Sequence, residues 1–135
     1  MSDIFYVNKK DSFLDGLVEE IEVRKAEQER EKHLDDLTTK IKRWAVDRNL
    51  HTANPDKQML KLFEELGELA EGMAKDLPAQ VTDSIGDIYV VLTILTLQLG
   101  INIEECIAEA YDEIKDRKGR MVDGVFIKEE DLHDE

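Results

Sequence analysis

The sequence predicts an all-α protein, an antiparallel helical bundle with an N-terminal helical extension and a small C-terminal β-hairpin. Three observations lead there. From Ile88 to Leu99 nearly every residue is apolar or Thr and none is charged, the pattern of a helix buried on all sides. Over residues 34–45, 59–73 and 103–114 apolar residues recur three and four apart, the helical period. The charged fraction is 37% with 6% aromatics and only two prolines, a composition that favours helices.

With 135 residues the chain makes one domain with a real core. The expected division is an N-terminal helical extension over residues 1–33, a helical domain over 34–120, and a C-terminal hairpin and tail over 121–135. A formal net charge of −14 argues against binding a nucleic acid polymer, because phosphate contacts need a basic face. A small anionic ligand is compatible with that charge only if a metal or a local basic patch neutralises it. The single cysteine, Cys106, reads as a small buried hydrophobe with no disulfide partner. Met1-Ser-Asp-Ile-Phe-Tyr6 has neither the basic start nor the apolar run of a signal peptide, and the expected compartment is cytoplasmic. The run Ile88–Leu99 is too short to span a bilayer, which needs roughly 20 apolar residues; no membrane association is expected.

In chain order, residues 1–11 carry no strong period. Ser12 with Asp15 is a weak capping-box start, followed by the stripe Phe13, Leu14, Leu17, Val18 and Ile21. Residues 22–32 (EVRKAEQEREK) mix charges at i,i+4 spacing, as a solvated helix does. Leu34, Leu37, Ile41, Trp44 and Ala45 then share a face, and the pattern leaves open whether residues 12–48 form one helix or two. Residues 49–56 form a loop, with Pro55 or Asp56 opening the next helix. On that helix Met59, Leu62, Phe63, Leu66, Leu69, Ala70 and Met73 make the predicted core stripe. It runs to about Lys75, and the short connection Asp76–Ala79 makes its successor an antiparallel neighbour. Gly100 ends the buried helix. Asn102 with Glu105 caps a further helix whose predicted core face is Ile103, Ile107, Ala110, Tyr111 and Ile114, and Gly119 stops it. Asp123-Gly124 between Arg120–Val122 and Val125–Ile127 signals a hairpin. His33, His51 and His133 lack metal-binding spacing.

Acidic residues carry the chemistry. Glu65 and Glu68 lie one turn apart beside the Leu62/Leu69 edge of their helix, with Glu64 and Glu71 further round. Asp83 and Asp87, one turn apart, head the apolar stripe of the next helix, on the side of Val90, Ile94 and Leu97. Two antiparallel helices bearing such pairs can converge on a hard cation such as Mg²⁺, which takes carboxylate oxygens and shares its remaining positions between water and a substrate phosphate. For Glu64, Glu65, Glu68 and Glu71 alone, a solvated face accounts for the residues equally well. Asp83 also suits a helix start. Asp87 does not, because the helix turns wholly apolar directly after it, and an unpaired carboxylate there would be costly. The basic group Lys115, Arg117, Lys118 and Arg120 reads either as dipole compensation at a helix C-terminus or as a phosphate clamp.

The combination Lys61-x-x-Glu64-Glu65-x-x-Glu68, a short turn, then Gly86-Asp87 at the head of a long apolar helix resembles the MazG-like group of all-α nucleoside triphosphate pyrophosphohydrolases, relatives of dimeric dUTPases and phosphoribosyl-ATP pyrophosphatases. The resemblance covers residues 34–120, including Trp44 and Arg48. The family pattern is Glu-Glu-x-x-Glu followed by Glu-x-x-Asp. Here Asp87 matches the second motif, while Ser84 stands where that motif begins with Glu, and Asp83 is the acid available to substitute.

The resemblance implies a four-helix core completed by oligomerisation, and hydrolysis of a (deoxy)nucleoside triphosphate to the monophosphate and pyrophosphate. Read onto these residues, Glu65, Glu68 and Asp87, with Asp83 as a fourth, would hold Mg²⁺, for which Mn²⁺ can substitute. Glu64 or Glu68 would orient the attacking water. Lys61, Lys115, Arg117 and Lys118 would contact phosphates, and Trp44 would either wall the base pocket or belong to the core. The expected assembly is a homodimer or homotetramer, with Val91 and Leu95 at or near the interface. Ser84 motivates the alternative of a catalytically lapsed nucleotide- or metal-binding module; a purely structural acidic helical protein is the remaining one.

Overall fold

The structure, a computed structural model, describes the backbone of residues 9–133 and the side chains of residues 12–30 and 33–133. The first eight residues, which carry no period, lie outside the described residues. Two compact units divide the chain, residues 1–44 and 45–135.

The first unit is built on α1, Lys9–Asp47, one uninterrupted helix of 39 residues that ends just inside the second unit. The open choice between one helix and two is thereby settled: no Pro interrupts the stretch, and i,i+4 pairs such as Glu20–Arg24 at 2.6 Å and Asp36–Lys40 at 2.8 Å bridge successive turns. Phe13, Leu14, Leu17, Val18 and Ile21 are exposed along it.

The second unit holds the remaining elements. A short 3-10 turn, Leu50–Thr52, follows Asn49, whose φ of 61° places it in the left-handed region. Helix α2, Pro55–Ala74, starts as expected: Pro55 occupies the first turn, and the Asn54 side chain accepts from the Asp56 N–H at 2.9 Å. Helix α3, Pro78–Leu99, begins only three residues after α2 ends and closes on Gly100 at φ 71°. Helix α4, Ile103–Ile114, is capped by the Asn102 side chain, which accepts from the Glu104 N–H at 2.9 Å. Strands β1, Gly119–Val122, and β2, Val125–Lys128, pair antiparallel, Val122 opposite Val125. The turn between them puts Asp123 at φ 50° and Gly124 at φ 80°, the double positive φ of a tight hairpin.

The core of this unit gathers on α3, where Val91, Thr93, Ile94, Leu95 and Thr96 are buried, with Ala45 and Ile103. Gln98 donates to the Leu50 carbonyl at 3.0 Å and ties the 3-10 turn to α3. The helix has 22 residues and, by length and composition alone, would also suit a membrane span, longer than the apolar run suggested. Two carboxylates in its first half, and the polar contacts it makes with α2, are features of the core helix of a bundle.

Several expectations are corrected. On α2 the face packed toward α3 is the row Gln58, Leu62, Glu65, Leu69 and Gly72, whereas Met59, Phe63, Leu66, Ala70 and Met73 of the predicted core stripe stand exposed. The hydrophobic pattern identified an apolar face, but within one chain the covered row is the adjacent one. On α4 only Ile103 is buried, and Ile107, Tyr111, Ile114 and Cys106 are exposed. Helix α4 ends at Ile114 rather than at Gly119, which lies in β1. A Cβ there would overlap the Ile127 carbonyl and crowd the Phe126 ring, so close approach of β2 explains the glycine. Asp83 sits more than a turn inside α3, which begins at Pro78, so it is not a helix-start residue. Val91 and Leu95, expected at or near an interface, are buried within the single chain.

Candidate metal centre

The α2–α3 connection sets the register of the site. Leu77 N–H donates to the Gly72 carbonyl at 2.8 Å, and Asp76 takes a positive φ of 55° to reverse the chain. Gly72 lets the helices close at this end, because a Cβ there would meet Val81 Cγ2 at 3.1 Å and its backbone nitrogen at 3.2 Å. Further along, Gln80 Nε2 donates to the Glu68 carbonyl at 2.9 Å, and Gln58 Nε2 to the Val91 carbonyl at 3.4 Å. These contacts hold the helices antiparallel, with the acids of α2 level with those of α3.

In that register Glu65, Glu68 and Asp87 come together: one carboxylate oxygen from each lies within 4.8 Å of the others. Glu65 is only 5% exposed, Asp87 is half-buried and Glu68 is exposed, so the group opens from the helix interface toward solvent. Lys61, one turn before Glu65, places Nζ 3.2 Å from Glu65 Oε1 and 3.1 Å from Glu64 Oε1. Glu65 Oε2 is buried and receives no hydrogen bond from the described residues.

The electrostatics follow from this crowding. Burial is the main cause that raises the Asp87 pKa above its ordinary value; the charges of Asp83 and Glu65 add to it and Lys61 opposes it. Glu68 is raised chiefly by the charge of Glu65, then by desolvation, a hydrogen bond shared with Glu65 and the charge of Glu64, again against Lys61. Lys61 is raised in turn by its bonds to Glu64 and Glu65. One ammonium does not balance three carboxylates in this space.

A hard divalent cation fits the residues present. The donors are all carboxylate oxygens, the set that suits Mg²⁺, Mn²⁺ or Ca²⁺ rather than a thiophilic metal. The spacing lets one ion touch all three, and the orphaned Glu65 Oε2 is a buried acceptor that lacks a positive partner.

The other predicted site residues are placed as follows. Asp83 is exposed and lines a groove of about 730 Å³ with Glu68, Glu71, Ala79 and Gln80, next to the trio but outside it. Glu64 is exposed and paired with Lys61. Lys115 pairs with Asp112 at 2.9 Å. Arg117 and Lys118 line a separate groove of about 600 Å³ with Glu113, Asp116, Lys128, Glu129 and Glu130, which contains none of the trio. Trp44 belongs to the first unit and is exposed. Sequence reasoning missed three contributors on the packed rows, namely Gln58, Gln80 and the burial of Ser84. The signal for the α3 residues was spacing: Gln80, Ser84, Asp87 and Val91 fall in one i,i+4,i+7,i+11 row.

Fold and site together define an all-α protein with a carboxylate centre between two antiparallel helices. The model of the MazG nucleotide pyrophosphohydrolase domain family matches residues 53–122, about half of the chain and including every acid of the centre. The chain belongs to that family. A stretch of 66 residues is 50% identical to an uncharacterised 18.2 kDa protein from the rep-hol intergenic region of Haemophilus phage HP1 (strain HP1c1). The match covers 48% of this chain and 40% of that protein, so the chain spans well under two thirds of its relative. No solved structure matches.

Proposed function

We propose that this protein is a Mg²⁺-dependent nucleoside triphosphate pyrophosphohydrolase, with Mn²⁺ as a substitute, converting a (deoxy)nucleoside triphosphate to the monophosphate and pyrophosphate. The observation that carries the reading is the buried, undonated Oε2 of Glu65, set in a trio of carboxylates near enough to share one ion. Membership of the MazG family supports the reaction class.

In this reading Glu65, Glu68 and Asp87 hold the cation, and Asp83 flanks it on the open groove. The bound ion supplies charge neutralisation at the phosphates and lowers the pKa of water. Glu68 or Glu64 takes the proton of the water that adds to the α-phosphorus, while the α–β bridging P–O bond breaks and pyrophosphate leaves with the electron pair. Glu64 is tied to Lys61 at 3.1 Å, whereas Glu68 lies in the trio itself. Lys61, half exposed beside the trio, is placed to meet a phosphate. Lys115, paired with Asp112, and Arg117 and Lys118, on a separate groove, are assigned no part at this centre.

The exposed row Met59, Phe63, Leu66 and Met73 on α2, with Ile107, Tyr111 and Ile114 on α4, supports a homodimer or homotetramer in which a second copy covers these faces. A cytoplasmic setting suits a (deoxy)nucleotide substrate.

A panel of nucleoside and deoxynucleoside triphosphates with Mg²⁺ or Mn²⁺, read by pyrophosphate release, tests the proposal. Turnover that disappears in a folded Asp87→Asn variant is the expected result. One observation favours a second reading, a lapsed nucleotide- or metal-binding module: Ser84 occupies the position of a family acid. Nucleotide binding without release from any member of the panel would select it. If no cation raises the melting temperature and no nucleotide binds, both readings fall.

A further inference from the structure

We propose that Ser84 belongs to the ligand shell of the cation held by Glu65, Glu68 and Asp87, its hydroxyl fixing a water of hydration on the buried side of the site. This rests on the reading of the trio as a cation centre and adds to it a neutral residue at the position where the family motif carries an acid.

The first observation is an unmet hydrogen bond. Ser84 is 1% exposed, and its Oγ is buried without a hydrogen-bond partner among the described residues. Buried hydroxyls are ordinarily satisfied, and in a helix the easiest partner is a carbonyl one turn back. The threonines of α3 use that option: Thr82 donates to the Pro78 carbonyl at 3.0 Å, Thr93 to Tyr89 at 2.8 Å and Thr96 to Thr93 at 2.7 Å. Ser84 does not, so its hydroxyl is turned elsewhere.

The second observation is the place of Ser84 on the helix. Ser84 lies on the row Gln80–Ser84–Asp87–Val91, and its three companions meet α2: Gln80 at the Glu68 carbonyl, Asp87 at the carboxylate trio, and Val91 at Gln58. Ser84 stands one turn before Asp87, between Gln80 and Asp87, both of which meet α2 at Glu68. Two buried oxygens without partners among the described residues, Ser84 Oγ and Glu65 Oε2, therefore belong to the facing rows of one helix pair. A water needs two to four polar partners to be held in such a place. Ser84 Oγ, which can donate or accept, Glu65 Oε2 and the cation provide them.

A residue that only packs and a residue that serves the ion predict opposite results when the hydroxyl is removed. The experiment is Mn²⁺ titration by calorimetry, with melting temperature measured with and without Mn²⁺, on the full chain and its Ser84→Ala, Ser84→Cys and Asp87→Asn variants. Ser84→Cys keeps the volume but bonds weakly, and it stands in if Ser84→Ala does not fold. The expected result is Mn²⁺ affinity reduced about tenfold in Ser84→Ala and Ser84→Cys, the range for residues that act through a metal's outer shell. Without Mn²⁺ both variants should melt at or above the wild-type temperature, since an unpartnered buried hydroxyl stabilises nothing. Asp87→Asn should lose Mn²⁺ binding. Wild-type Mn²⁺ affinity in the Ser84 variants, alongside its loss in Asp87→Asn, overturns the role of Ser84 and leaves the centre standing. A lowered melting temperature without Mn²⁺ and unchanged affinity overturns it in favour of packing. Undiminished binding in Asp87→Asn overturns the centre itself, and the inference with it.

Discussion

Lys61 Nζ lies 3.2 Å from Glu65 Oε1, one turn along the same helix, and leaves Glu65 Oε2 without a donor. The ammonium is half exposed and the carboxylate is 6% exposed, so the pair spans the boundary between solvent and the helix interface. Removing Lys61 strands a desolvated carboxylate beside two others. Lys61→Met should therefore destabilise the cation-free protein by about 1–3 kcal/mol, less than a fully buried pair because water screens the lysine side. Urea unfolding measures this, and Mg²⁺ should recover much of the loss by taking over the role of the ammonium.

Asp87→Asn acts in the opposite sense. It removes the carboxylate whose charge is disfavoured by burial and by Asp83 and Glu65, while keeping shape. Near pH 7 and without divalent cation the variant should melt at or above the wild-type temperature. Addition of Mg²⁺ should raise the melting temperature of the wild type and leave that of the variant unchanged.

The pH dependence of that difference has a defined sign. Asp87 binds its proton more tightly folded than unfolded, since its pKa is raised. Between the ordinary aspartate value and the raised one, the folded state holds more protons, so stability falls as pH rises through this window. Asp87→Asn lacks the effect. Wild type and variant should converge in stability on the acid side of the window and separate above it, the variant being the more stable. Glu68, raised mainly by Glu65, contributes in the same direction, and saturating divalent cation should reverse the sign by favouring the ionised forms. Melting curves at a series of pH values, with and without Mg²⁺, test this.

The outward face of α2 gives a prediction about assembly. Phe63 is 63% exposed and Met73 68%, and neither supports the core of its own chain. Phe63→Glu should shift the protein to a smaller species in light scattering. Its effect on unfolding of that species should stay within about 0.5 kcal/mol, as for surface changes that disturb no packing.

What could be read from the chain and what could not divide along physical lines. Local chemistry was legible: Pro55 opens α2, Gly100 closes α3, Asn102 caps α4 and Asp123-Gly124 turns the hairpin, because each of these effects lies within a few residues. The meeting of Glu65, Glu68 and Asp87 was legible too, since a short connection between two helices leaves little freedom in register. The packed side of α2 was not. Hydrophobicity ranks faces by apolar content, and Phe63 and Leu66 outrank Gln58 and Glu65, yet the polar row is covered in the single chain. Gly119 was read as a stop signal when its lack of a side chain serves the approach of Ile127, a contact made by residues further along the chain. The separation of Arg117 and Lys118 from the trio is likewise a tertiary fact that no spacing encodes.

The three-residue link between Ala74 and Pro78 has a consequence for inheritance. It places both acid-bearing rows on one uninterrupted piece of gene, so recombination anywhere outside that piece exchanges the long leading helix or the trailing hairpin without dividing the donors. A single-codon insertion between Glu68 and Ala74 or between Pro78 and Asp87, by contrast, would turn part of one row by about 100° and draw the acids apart.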